Sequence, residues 1–141
     1  MPPQSTEVAP NLAESIRVKI KQATQARSVM FRDALRVGVT IGFGTDSAVS
    51  PHGINAREFS LMTKNGLSNA QALMAGTAGG ADLLGLADKT GTLTAGKFAD
   101  IVAVPGNPLV DMHVTEHPVF VMKEGTVYVG APDARVAAAL P

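Results

Sequence analysis

Between residues 38 and 46 the chain reads Gly-Val-Thr-Ile-Gly-Phe-Gly-Thr-Asp, an apolar stretch with β-branched side chains, bounded by glycine and followed by a carboxylate. Val39 to Phe43 suits a short strand buried on both faces. Upstream, Leu12, Ile16, Ile20, Ala23, Met30, Ala34 and Val37 recur at mostly three- and four-residue steps, one apolar stripe of a long amphipathic helix. Asn11 with Glu14 has the spacing of a capping box, and Gly38 stands where a left-handed glycine ends a helix.

The same alternation continues downstream. Residues 55–65 read as a helix with Phe59 and Met62 on one face and Gly66 as its stop. Ser68 and Gln71 form a second capping box, opening a helix that runs, interrupted at Gly76, Gly79 and Gly80, to Leu84 and a Gly85 cap. From Asp88 the pattern changes to short strand candidates: Thr92-Leu93, Ile101 to Val104, Val119 to Met122 and Val127 to Val129. Turns at Ala95-Gly96, Gly106-Asn107-Pro108 and Glu124-Gly125 separate them. The expected organisation is a loop over 1–10, an α/β part over 11–87, a small β part over 88–131 and a tail or short helix over 132–141.

Composition narrows the function classes. Twelve basic residues balance twelve acidic ones, so no net field recruits nucleic acid or anionic lipid. Without cysteine there is no disulfide, no thiolate zinc site and no cysteine nucleophile. The first ten residues lack the basic and apolar regions of a signal peptide, and no window reaches the roughly 18 apolar residues of a membrane span. A soluble, cytoplasmic protein is expected.

Two motifs fail on context. Gly91 to Lys97 fits G-x-x-x-x-G-K, but Phe98 replaces the magnesium-binding hydroxyl and a strand, not a helix, is predicted next. His113 to His117 fits H-x-x-E-H, whose chemistry needs both imidazoles on one helical face; Pro118 and an apolar strand follow instead. Ser47, Ser50, His52 and Asp46 include the residue types of a hydrolytic triad, yet lie too close in sequence and lack the G-x-S-x-G elbow.

Asp46 has a better context. A carboxylate just beyond a buried strand, between helices, stands where α/β barrels carry catalytic groups. It can bind a divalent cation or take a proton from water, and His52 and Asn55 belong to the loop that follows. The local pattern leaves open the alternative that Asp46 only makes an Asx-turn.

Taken in order, these segments resemble the metal-dependent amidohydrolases, nearest to their imidazolonepropionase-like and prolidase-like members. Gly42-Phe-Gly-Thr-Asp46 with Pro51-His52-Gly53, Asn55 and Glu58-Phe59 looks like the last barrel strand and its loop. Leu67-Ser-Asn-Ala-Gln-Ala72, Thr77 and Leu83-Leu-Gly-Leu86 look like the final barrel helices. Gly91-Thr-Leu, Gly96-Lys97, Ala99-Asp100-Ile-Val102 and Val121-Met-Lys-Glu-Gly125 look like the accompanying small β domain. The resemblance implies the C-terminal portion of a (β/α)8 barrel, one barrel strand with flanking helices, plus part of a small β-sandwich-like domain. It implies hydrolysis of amide-type C–N bonds in a small-molecule amide or dipeptide with a divalent metal, zinc. Asp46 is then both metal ligand and catalytic proton carrier, and His52 and Asn55 are substrate-binding.

The family's His-x-His pair, its bridging lysine or glutamate and its strand-end histidines have no counterpart, since His52, His113 and His117 all follow Asp46. The sequence therefore predicts a chain that is inactive and holds no metal tightly by itself. It is expected to associate with a missing barrel segment or with itself. A split hydrolase completed by another chain and a non-catalytic interaction module are the alternatives.

Overall fold

A computed structural model describes residues 13–46 and 52–130. The chain divides into two compact units, Met1–Val39 and Thr40–Pro141.

The first unit is built on α1 (Glu14–Arg36), 23 residues long. Its capping residue is Ala13, whose carbonyl accepts from the Ile16 and Arg17 amides; the Asn11 side of the expected capping box lies outside the described residues. Glu14 pairs with Arg17 and Asp33 with Arg36, each three residues apart along the helix surface. The C-terminus closes as the sequence predicts. Gly38 is left-handed at φ +79°, its amide bonds the Leu35 carbonyl, and the Val39 amide reaches back to Ala34. These two bonds are a Schellman motif, which satisfies carbonyls that the helix end leaves open. None of the described α1 side chains is buried, and Met30 and Val37 are 66% and 71% exposed.

The second unit begins with residues 40–46 in neither helix nor strand. The expected strand Val39 to Phe43 is absent: no ladder forms, and the Phe43 amide donates instead to the Ala75 carbonyl at 3.0 Å. A strand exists only through a partner, and none of the described residues supplies one beside this segment. Three helices follow, α2 (Arg57–Lys64), α3 (Asn69–Ala75) and α4 (Ala78–Leu83). The Ser68–Gln71 capping box is present: Ser68 Oγ accepts the Gln71 amide at 3.2 Å and Gln71 Oε1 accepts the Ser68 amide at 2.9 Å. The single interrupted helix expected after Ser68 is two helices. The chain breaks at Gly76 and Thr77, where Thr77 leaves helical geometry and its hydroxyl donates to the Leu73 carbonyl at 2.7 Å.

The β part is one antiparallel sheet in the order β1 (Ile101–Ala103), β2 (Phe120–Lys123), β3 (Thr126–Val129). Thr92-Leu93 does not join it. A 3-10 helix, Met112–Glu116, connects β1 to β2. The β2–β3 turn is Glu124-Gly125, both at positive φ (49° and 80°), the two-residue turn whose twist matches paired strands. Glu124 adopts that backbone while its amide donates to Asp100 Oδ1 at 2.9 Å, and the Gly125 amide donates to the Ala99 carbonyl. Asp100 Oδ2 takes a further bond from the Thr90 hydroxyl at 2.8 Å. One carboxylate thus ties the hairpin tip to the segment that precedes β1.

The core of this unit is made of small and flexible side chains: Ala72, Ala75, Ala81, Met62 and Met112 are buried. The rings of Phe43 and Phe59 stack at 4.3 Å between centroids, tilted by 35°. Gly76 lies directly against Phe59, so that a Cβ there would come within 2.7 Å of two ring carbons. Gly76→Ala is therefore expected to lower stability by about 1–3 kcal/mol through overpacking. Gly44→Ala, where a Cβ would meet nothing within 4 Å, is expected to stay within about 0.5 kcal/mol. Equal urea midpoints for the two variants would contradict this packing. Asp100 gives a pH prediction. The Glu124 amide first, then the Thr90 hydroxyl, hold its carboxyl below the usual carboxylate range. A depressed folded-state pKa contributes stability above the unfolded value and loses it as pH falls through the folded one. Acid unfolding should consequently begin at lower stability but follow a shallower pH slope in Asp100→Asn than in the parent chain. An unchanged slope would show that these bonds do not persist in solution.

Candidate functional site

Asp46 closes the segment that precedes α2, and its position is set by what holds the residues just before it. Phe43 is fixed by its ring contact with Phe59 of α2 and by its amide bond to Ala75 of α3. Thr45 is reached by the side chain of Asn55: Asn55 Nδ2 donates to Thr45 Oγ1 at 3.2 Å. On its other side Asn55 Oδ1 accepts the Gly53 amide at 3.3 Å. Asp46 itself is exposed and left-handed at φ +48°, a conformation that only a few per cent of non-glycine residues adopt, aspartate more readily than most.

His52 is exposed in the turn that brings the chain to α2, and Gly53 beside it needs its φ of +90°. The Glu58 amide bonds the Asn55 carbonyl at 3.1 Å, locking Asn55 to the first turn of α2. Burial pushes the half-buried Glu58 carboxyl above the usual carboxylate range. Of the sequence-predicted residues, then, Asn55 is bonded directly to the residue before Asp46, while His52 is exposed. The mostly apolar cavity of about 580 Å³ in this unit is lined by Phe43, Ala81, Leu84, Ile101 and Met122 among others, and includes neither Asp46 nor His52.

The two context-failed motifs have structural roles. Gly91, at φ +87°, packs against Ala81 and the Thr77 carbonyl, and the next regular element after Lys97 is β1. The His113-to-His117 motif lies on a 3-10 helix that ends at Glu116, too short to set both imidazoles on one α-helical face. There His113 Nδ1 lies 2.7 Å from Glu116 Oε1, and Arg57 Nε donates to Glu116 Oε2 at 3.4 Å. This Arg57–Glu116–His113 link secures the start of α2. Its outer partners are 56 residues apart in sequence, and no local pattern announced it.

Among the described residues no group of three His, Cys, Asp or Glu side chains is placed to hold a metal ion. Nor is any described helix long and apolar enough to cross a membrane.

Comparison with known proteins bears on this arrangement. A model of the amidohydrolase family matches residues 8–131. The structure resembles a Xaa-Pro dipeptidase solved with methionine in its active site, with a TM-score of 0.80 and 38% identity over 90% of this chain and 31% of that one. Ochratoxinase from Aspergillus niger is 32% identical over 117 residues, 79% of this chain. A 5-methylthioadenosine/S-adenosylhomocysteine deaminase from Desulforudis audaxviator is 42% identical over 78 residues, 48% of this chain. The chain spans 24% of the ochratoxinase and 18% of the deaminase. The family model, which matches most of the chain's length, shows that the chain belongs to the amidohydrolase family.

Proposed function

We propose that this chain provides the seventh helix, the eighth strand, the helices that follow it and part of the small β domain of an amidohydrolase that cleaves amide-type C–N bonds. The observation that carries the reading is Asp46, an exposed carboxylate that follows the anchored segment ending at Thr45 in a chain of this family. The named activities of the Xaa-Pro dipeptidase and the ochratoxinase support small amides or dipeptides as the substrate class. In this reading Asp46 takes the proton of the attacking water and returns it to the leaving nitrogen, the work of a positioned general base and acid. His52 faces the substrate. Asn55, whose amide already engages Thr45 and Gly53, enters as part of the loop's frame.

Family members in general depend on a metal, and zinc is the ion proposed here. A catalytic zinc takes three protein ligands, whereas Asp46 supplies one and the described residues form no group of three. These residues alone do not fit such an ion. Histidines from other barrel strands are required, so the isolated chain is proposed to be inactive. The segment without a ladder suits a place beside barrel strands that the described residues do not contain.

The test is hydrolysis of an Xaa-Pro dipeptide or N-acyl amino acid, with zinc. The chain is assayed alone and mixed with a polypeptide carrying the remaining barrel strands of a family member. Turnover is expected only in the mixture and should fall by about 10³-fold or more in Asp46→Asn. Turnover by the chain alone that vanishes in Asp46→Asn would overturn the proposed inactivity. Turnover in the mixture that survives the substitution would remove Asp46 from the chemistry.

A further inference from the structure

We propose that Asn55 is a positioning residue for Asp46, acting as a clamp on the strand-end side of the loop rather than as a contact for substrate. The proposal rests on the catalytic reading of Asp46 for its functional meaning, but its geometry stands independently.

The carboxamide presents a donor and an acceptor, and both are used on the chain. Nδ2 reaches Thr45 Oγ1 across ten residues, and Oδ1 receives the Gly53 amide. The body of Asn55 is itself fixed. The Arg57 amide bonds the Ile54 carbonyl, the Glu58 amide bonds Asn55 and the Phe59 amide bonds Ala56, so Asn55 sits in the entry turn of α2. That helix is anchored in turn through Phe59 to Phe43 and through Arg57 to Glu116. The segment leading to Asp46 is therefore held to α2 at two points two residues apart, an apolar contact at Phe43 and a hydrogen bond at Thr45. Two such points fix the direction in which the chain leaves residue 45, where one alone would leave it free to swivel.

Asp46 follows at once with φ +48°. A left-handed non-glycine residue persists where its surroundings over-determine it, and the Thr45–Asn55 bond is adjacent to it. The chemistry of the clamp is specific. A carboxylate at position 55 would keep the acceptor and lose the donor. Valine at position 45 keeps the shape of threonine and loses the acceptor, whereas serine keeps it.

The experiment is heteronuclear NMR on the intact chain, reading the Asp46 Cα and Cβ shifts, which report its backbone conformation, and its heteronuclear NOE. Thermal unfolding serves as the control. Thr45→Val and Asn55→Ala are each expected to move the Asp46 signals toward extended-chain values and lower its NOE. Thr45→Ser should retain the parent signals. The unfolding midpoint should move by less than about 5 °C in all three. If Asn55→Ala fails to fold, Thr45→Val against Thr45→Ser decides alone. Asp46 signals unmoved by Thr45→Val, or moved equally by Thr45→Ser, overturn the clamp. Unmoved signals together with turnover that depends on Asp46 would sink the clamp and leave the hydrolase reading. The converse, shifted signals with turnover indifferent to Asp46→Asn, would sink the hydrolase reading while the clamp remains.

Discussion

In the second unit, the contact between Phe43 and Phe59 over Gly76 is the interaction from which the rest follows. It joins the segment before Asp46 to α2, and α2 to the end of α3, at a single place where no side chain larger than hydrogen fits at position 76. An aromatic pair of this kind adds about 0.5–1.5 kcal/mol beyond the area it buries. That contribution weighs heavily in a core whose buried apolar members are alanines and methionines. Release it, and the segment that carries Asp46 loses its ring contact and depends on the packing of Gly42 against Leu83 and on the hydrogen bonds at Phe43 and Thr45.

Hydrogen bonds that reach across the chain reinforce this frame. Asn69 Nδ2 at the start of α3 bonds the carbonyls of Pro108 and Leu109, Glu116 takes Arg57 from the start of α2, and Asp100 holds the β2–β3 turn. Each comes from a side chain beside the end of one element and reaches the backbone or side chain of another. The helices here are only six to eight residues long, too short to persist without tertiary support. Linking their ends is an efficient way to supply it. The same logic operates at Asn55, where the entry turn of α2 reaches back to the residue before the carboxylate.

Exposure describes the other side of this economy. Leu84, Leu93, Val110 and Tyr128 are each more than two-thirds exposed, and the described side chains of α1 are all outside any core. Isolated apolar side chains at a surface need no explanation, but a 23-residue helix without a buried face is in a different position. Most helix stability comes from packing an apolar stripe rather than from propensity. The proposed barrel would use such a stripe.

Several features were legible because their physics is local. The Ser68–Gln71 capping box, the Gly38 stop and the Glu124-Gly125 turn each depend on residues within a few positions, and each appears where the pattern puts it. The strand at Val39 to Phe43 was misread because apolar periodicity describes a side-chain environment, while a strand is defined by a neighbour's hydrogen bonds. The H-x-x-E-H motif was set aside on its context, and the 3-10 helix that carries it is a helix type that spacing does not specify. The sequence by itself determined the stop of the first helix, the capping box at Ser68, the turns, the β hairpin and the presence of a carboxylate at the end of an apolar run. Only the tertiary structure decided that Asn55 grips Thr45, that Phe43 stacks on Phe59 and that Glu116 reaches Arg57. Those pairs are 10, 16 and 59 residues apart, and nothing short of the folded chain brings such partners within bonding distance.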